Sequence, residues 1–183
     1  MKVTPVKVTL TRSGARQRKI IENLVHFYVY DIACVMGWPS PADGMYRGCD
    51  DVPGYFGDER SSAYLIRVGR EWAGFVLVDG HPRRRGCDWR VGQFFVVGKF
   101  KRRGVGTAAA RETFHRFPGR WHVEYLKRNT PAVGFWRRVI QDYTRGRVRE
   151  RSIRSPWGAM WLAEFTSSAP PATRSKRRRT AAR

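Results

Sequence analysis

The run Val96-Val97-Gly98-Lys99-Phe100-Lys101-Arg102-Arg103-Gly104-Val105-Gly106-Thr107 brings three glycines and four cations into one turn between an apolar strand and a helix. The N–H groups that open a helix have no partner inside it, and with the helix dipole they form a site for an anion. Glycine suits such a turn, because a ligand can press on the backbone where no Cβ stands in the way. Lys99, Lys101, Arg102 and Arg103 add positive charge around it. The chemistry this predicts is phosphate binding; a solvated basic turn ahead of a helix is the plainer alternative. The segment is not a P-loop, since no Gly-Lys-Ser/Thr follows. Nor is it the Rossmann fingerprint: the third glycine is missing, and the acid expected ~20 residues on is represented only by Glu124, inside a strand.

A turn of this kind needs a strand before it and a helix after it. Trp89–Val97 reads as that strand, ending in an apolar run that implies burial on both faces, and Gly104–Phe117 as that helix, stopped by Pro118-Gly119. Upstream, Val6–Leu10 alternates as a strand. Gln17–Met36 is helical, with Ile21, Leu24, Val25, Tyr28, Ile32, Val35 and Met36 at helical spacing, and Gly37 and Pro39 end it. Residues 37–62 form a long Gly/Pro/Asp/Ser loop with a short helix near Val52–Phe56. Ala63–Val68 and Trp72–Val78 form a hairpin around Gly69-Arg70. Downstream come a strand at Trp121–Leu126, a helix at Pro131–Ile140 with proline in its first turn, and two strands near Arg147–Ile153 and Ala159–Phe165. This order, β-α-loop-βββ-α-β-α-ββ, predicts a mixed α+β sheet rather than a βαβ repeat.

The 183 residues suit one domain, residues 1–165, followed by a basic, disordered tail over 166–183. With 42% hydrophobic residues the chain can build a core. No apolar run nears the ~20 residues of a membrane helix, and Met1–Pro5 lacks the apolar stretch of a secretory signal. The expectation is a soluble, cytoplasmic protein. Lys+Arg 36 against Asp+Glu 15 gives a net +21, which implies anionic partners; without the six cations of the tail the body still carries +15. Cys34, Cys49 and Cys87 suit neither a disulfide framework nor a zinc ribbon, and His26, His81, His115 and His122 complete no metal motif, so no metal is expected.

Lys101-Arg102-Arg103-Gly104-Val105-Gly106 resembles the R/Q-x-x-G-x-G/A signature of the GNAT-type N-acetyltransferases, with lysine at its first position. Asn129-Thr130-Pro131-Ala132-Val133-Gly134-Phe135-Trp136 resembles their later N-x-x-A-x-x-F/L-Y motif, with Trp136 in place of tyrosine. The two motifs stand in the family's order, and the resemblance covers roughly Val6 to Phe165, in particular to a small bacterial branch of predicted acetyltransferases. It implies a twisted, mostly antiparallel sheet of about six or seven strands flanked by helices. It implies acetyl-CoA as co-substrate, its pyrophosphate on the amides of Arg102, Arg103, Gly104, Val105, Gly106 and Thr107. The pantetheine arm would pair like an added strand with Phe94, Phe95 and Val96, opposite a fifth strand that splays away. Asn129 matches the asparagine that bonds the arm; capping the Pro131 helix is its alternative.

The reaction implied is direct attack of an amine on a thioester, which requires a neutral amine and hence a base. Glu124, five residues before Asn129, matches the glutamate that serves some members; a surface pair with Lys127 or Arg128 is its alternative. Trp136 replaces the usual acid, and an indole N–H is no practical acid. Tyr143 is a candidate in its stead, or a packing aromatic. Gln93 could bond the acceptor but cannot act as a base. Residues 43–59 hold Asp43, Asp50, Asp51, Asp58 and Glu59 against Arg47, a local −4 that would steer a cationic amine or simply be hydrated. Tyr28, Tyr46 and Tyr55 line such a pocket or fill the core.

A different reading is a GNAT-like module that binds nucleic acid. Arg83–Arg85, Arg137-Arg138, Arg145/Arg147/Arg149/Arg151 and the tail run Ser175–Arg179 would track phosphates. An arginine-rich composition from a GC-rich genome explains the same charge without function. The acceptor amine and the choice between monomer and homodimer are open at this level.

Overall fold

The computed structural model describes residues 6–49, 51–81 and 85–168. Seven strands form one sheet: β1 (Val8–Arg12), β2 (Ser62–Val68), β3 (Glu71–Asp79), β4 (Trp89–Val96), β5 (Gly119–Leu126), β6 (Arg149–Ser155) and β7 (Gly158–Ser167). Their order across the sheet is β1-β2-β3-β4-β5-β7-β6. Every neighbouring pair is antiparallel except β4 and β5. Three helices cover the faces: α1 (Arg18–Met36), α2 (Val105–Arg116) and α3 (Thr130–Thr144). The α+β architecture with seven mostly antiparallel strands is as expected.

The sheet separates two cores. On one face, α1 buries Ile21, Val25, Val29 and Ala33, one residue per turn, against Leu65, Phe75, Leu77 and Phe95. The stripe is narrower than its sequence suggests, since Ile32, Val35 and Met36 stay half-exposed. Gly37 ends the helix at φ 68°, its N–H reaching the Ala33 carbonyl. The other face buries Val105, Ala109 and Phe114 of α2 and Trp136, Val139 and Ile140 of α3 against Val76, Val91, Trp121 and Val123.

Local signals placed most boundaries within two residues, and the departures follow strand pairing. β1 lies two residues later than expected, because its register runs from Val8↔Val68 to Arg12↔Tyr64. β7 continues to Ser167 because β5 supplies partners as far as Gly119↔Ser167. There the Ser167 hydroxyl is buried, donating to the Phe117 carbonyl at 2.9 Å. Helix α3 outruns Ile140 to Thr144, whose hydroxyl bonds back to the Ile140 carbonyl at 2.8 Å. The expected tail from residue 169 onward lies outside the described residues, as does most of the Arg83–Arg85 run.

Candidate functional site

The parallel seam between β4 and β5 is zipped at one end only. Trp89 pairs with Trp121 and Arg90 with His122, and the ladder stops there. Asp88 pins this end, its N–H donating to the Arg120 carbonyl at 2.8 Å and its carboxylate accepting from the Arg120 N–H at 2.8 Å and from the guanidinium. Beyond Arg90 the strands part. On the far side of β4, Val97 N–H donates to the Ala73 carbonyl of β3 at 2.9 Å. Backbone groups alternate along an antiparallel ladder. Phe95 therefore also turns its backbone to β3, while Phe94 and Val96 turn theirs into the gap. The Phe95 side chain fills the α1 core.

Straight after β4 comes the glycine turn. Arg102 (φ 60°) and Gly104 (φ 79°) are both left-handed, curling the chain around Arg103. Such alternation gathers N–H groups into a concavity suited to anions. Gly104 is the N-cap of α2 and offers no side-chain cap. The first helical bond runs from Ala108 N–H to the Gly104 carbonyl at 3.0 Å, so the amides of Val105, Gly106 and Thr107 precede it. A Cβ at Gly104 would meet nothing within 4 Å, so it is the left-handed φ that calls for glycine there. Gly106 differs in having a packing constraint of its own. A Cβ there would stand 3.1 Å from Phe135 Cε2, so its smallness lets α2 pack closely on α3.

The charge of the turn is also redistributed. Lys99 pairs with Glu71, and Lys101, at the first signature position, pairs with Asp31 of α1. Arg102 and Arg103 are exposed and have no carboxylate partner among the described residues. The turn therefore fits a pyrophosphate through its amides and two arginines rather than four cations.

Across the gap, Glu124 stands between Val123 and Tyr125, which both face the α2/α3 core, so its carboxylate lies on the α1 side. Nearby, Arg128 donates to the Met36 carbonyl at 3.2 Å, and Lys127 Nζ sits 4.0 Å over the Trp161 ring. Glu124 and Asp79 both act on Arg90, whose guanidinium donates to Asp79 at 2.8 Å. Burial opposes the Arg90 charge, but Asp79 and its neighbours outweigh it and the pKa rises. Tyr55, from the 3-10 turn Val52–Phe56, sets its hydroxyl against Gly92 of β4. Tyr28 packs edge-on to Phe75 and Phe95. Burial raises the pKa of both tyrosines, so they stay neutral at physiological pH. The role of Arg90 and Asp79 was not expected from sequence; Gly92 inside a strand was the readable sign of irregularity nearby.

The other candidates fall differently. Asn129 Oδ1 accepts from Ala132 N–H at 3.1 Å and caps α3. Trp136 is buried, its ring 5.1 Å from Phe94 and 4.8 Å from Phe135. Tyr143 is not brought to the gap. It lies near the far end of α3, roughly 20 Å along the axis from its start at ~1.5 Å per residue. There it packs on Phe114 and His115 and lines a cleft of about 680 Å³ with Arg111, Arg147 and Glu164. The packing alternative holds for it. In the acidic loop, Asp43 accepts from Met45 N–H and pairs with Arg47, and Asp58 pairs with His81 at 2.7 Å, so much of the negative charge is used internally. Asp50 lies outside the described residues. The arginine track is interrupted as well: Arg137 pairs with Glu150 at 2.7 Å and Arg151 with Glu164 at 3.1 Å.

Among the described residues no group of His, Cys, Asp and Glu is placed to hold a metal, and no helix is long and apolar enough to cross a membrane. A family model described as the acetyltransferase (GNAT) family matches residues 26–140. No curated protein matches the chain. Among solved structures, an acetyltransferase from Thermus thermophilus is 17% identical, covers 91% of this chain and 99% of its own, and superposes with a TM-score of 0.62. The ribosomal-protein-S18-alanine N-acetyltransferase of Escherichia coli is 12% identical, covering 91% and 97%, with a TM-score of 0.58. The spermidine N-acetyltransferase of Vibrio cholerae, in complex with CoA and spermine, is 10% identical, covering 87% and 95%, with a TM-score of 0.59. At these identities the likeness is one of fold.

Proposed function

The chain belongs to the GNAT family of acetyltransferases, and from that premise we propose that it transfers an acetyl group from acetyl-CoA to a primary amine by direct attack. The observation that carries the reading is the one-ended β4/β5 seam opening onto the glycine turn. The gap exposes backbone of Phe94 and Val96 for the pantetheine arm, and the turn presents the amides of Arg103 to Thr107, with Arg102 and Arg103, to the pyrophosphate. When bound, acetyl-CoA supplies an activated acetyl thioester.

The remaining work falls to side chains on the α1 face of the gap. Glu124 accepts a proton from the incoming ammonium, directly or through a water, so that nitrogen attacks with its lone pair free; the N–C bond forms, the C–S bond breaks with its electron pair going to sulfur, and the departing CoA thiolate takes the second proton that the nitrogen sheds. Arg90, held by Asp79, stands at the closed end and keeps positive charge near that carboxylate. Trp136 and Phe94 form an apolar wall on the other face and take no part in proton transfer. Asn129 holds α3 in place through its cap. The amines acetylated by the structural neighbours, spermidine and a protein alanine, mark a small polyamine and a protein N-terminus as acceptors to try first. The described domain over residues 6–168 suffices for this chemistry in our reading, with the tail dispensable.

Calorimetric titration with acetyl-CoA, after removal of nucleic acid, tests the reading. Micromolar binding that changes little between ~50 and ~200 mM salt is expected. Absence of binding, with tight and steeply salt-dependent binding of nucleic acid instead, would replace it with a basic binding module.

A further inference from the structure

β4 carries a bulge. Val91 pairs with Val78 and Gln93 with Leu77, which leaves Gly92 extra. The bulge sets Gln93 on the α1 face, opposite Leu77 of the α1 core. Gln93 thus follows directly on Gly92, against which the Tyr55 hydroxyl rests, and looks across the seam toward the strand that carries Glu124 on the same face. Its side chain as a whole is half-exposed, yet its amide oxygen is sealed from water and receives no hydrogen bond. A buried acceptor without a donor bears the full desolvation penalty of its carbonyl. Folding alone would favour an isosteric apolar side chain at this position.

A neutral primary amine carries two N–H donors and one lone pair. To aim the lone pair at a carbonyl carbon, both N–H bonds must be held on the opposite side. Glu124 provides one acceptor. We infer that Gln93 provides the other: its amide oxygen takes the N–H that the nitrogen keeps in the product amide, while the N–H directed at Glu124 is the one whose proton passes, after the N–C bond forms, to the departing CoA thiolate. A half-turn about the terminal amide torsion, which is broad and two-fold, carries the oxygen to the open side of the gap. Turned that way, the oxygen can accept from the substrate. Gln93 is in this way an acceptor-binding residue that favours primary amines. The inference rests on the acetyltransfer reading above.

The test compares the wild-type full chain with Gln93→Met, isosteric but without a carbonyl, and Gln93→Glu, which keeps acceptor oxygens. The probe is ethylamine, the amine point without a specific substrate, and the readouts are CoA release, acetyl-CoA affinity by calorimetry, and Tm without ligands. Gln93→Met should raise KM for ethylamine roughly tenfold, the size of one hydrogen bond, leave acetyl-CoA affinity within about twofold, and keep or raise Tm because an unsatisfied buried carbonyl is gone. Gln93→Glu should restore KM toward wild type. A Gln93→Met protein with lower Tm, or with unchanged KM, overturns the inference, as does a wild-type protein that binds acetyl-CoA yet leaves saturating ethylamine unacetylated. Failure of the wild type to bind acetyl-CoA overturns the acetyltransfer reading itself.

Discussion

The two ends of the β4/β5 seam are made from the same two strands and behave as opposites. At the closed end, Asp88 and Arg120 exchange backbone and side-chain bonds, and Trp89 Nε1 donates to the Pro118 carbonyl at 3.0 Å. Gly119 at φ 137° lies so near Asp88 and Trp89 that a Cβ would sit 3.0 Å from the carboxylate. These polar groups have their partners within the fold. At the open end, Phe94 and Val96 turn backbone groups to a gap, Gln93 hides an orphan oxygen, and the α2 amides lack a side-chain cap. Unpaired backbone groups are costly unless water or a ligand supplies their bonds. One end is satisfied by the protein and the other is left for something else to satisfy. Substitutions at the open end should therefore move binding and turnover, and those at the closed end stability.

The largest effect is expected at the turn. Gly104→Val forces a β-branched residue into a left-handed conformation, about 1–2 kcal/mol of strain, and places a side chain in the open space before the amides. Acetyl-CoA affinity should fall more than 100-fold, a loss of at least about 2.7 kcal/mol, while the protein remains folded by circular dichroism. Wild-type affinity in this variant would break the comparison at its open end.

Glu124→Gln should lower kcat by about 10² or more, the usual worth of a general base, with acetyl-CoA affinity unchanged by calorimetry. Part of the loss should return at alkaline pH, where more of an amine with a lysine-like pKa near 10 is already neutral. Turnover equal to wild type across pH would remove Glu124 as the base.

At the closed end, the bonds from Arg120 hold the Asp88 carboxyl at about 2, below its ordinary 3.8. A depressed pKa stabilises the fold above the unfolded value, and the gain disappears as pH drops through the folded one. Asp88→Asn should thus lower Tm at pH 7 with acetyl-CoA affinity retained, and the difference from wild type should close as pH falls from about 4 to about 2. A Tm gap that stays constant with pH would show that the charge is not what pins this end.

The smallest effect is expected from removing residues 169–183. Acetyl-CoA affinity should stay within about twofold of wild type, a difference under ~0.5 kcal/mol. A larger loss would make the tail part of the open end.

Much of the fold was legible along the chain because its signals are local. Helical spacing marked α1, the Asn129-Thr130-Pro131 start marked the cap of α3, and the Gly104–Thr107 segment marked the opening of α2; each depends on residues a few positions apart. Two lysines of the turn were not legible as spent, since their partners Glu71 and Asp31 come from β3 and α1. The packing constraint on Gly106 was not legible either, since Phe135 arrives from α3. Tyr143 follows Trp136 by seven residues, two helical turns, and so is carried away from the gap that the sequence spacing alone left within its reach.

The sequence by itself determined the order of elements, the glycine turn and the two motifs, one within that turn and one opening α3, because backbone hydrogen bonding and capping are settled over a few residues. Only the tertiary structure decided that β4 and β5 part after two pairs, and that Gln93 and Glu124 share the face of the gap toward α1. That outcome depends on strand register and a bulge, which bring together residues some thirty positions apart. No local propensity encodes such a meeting.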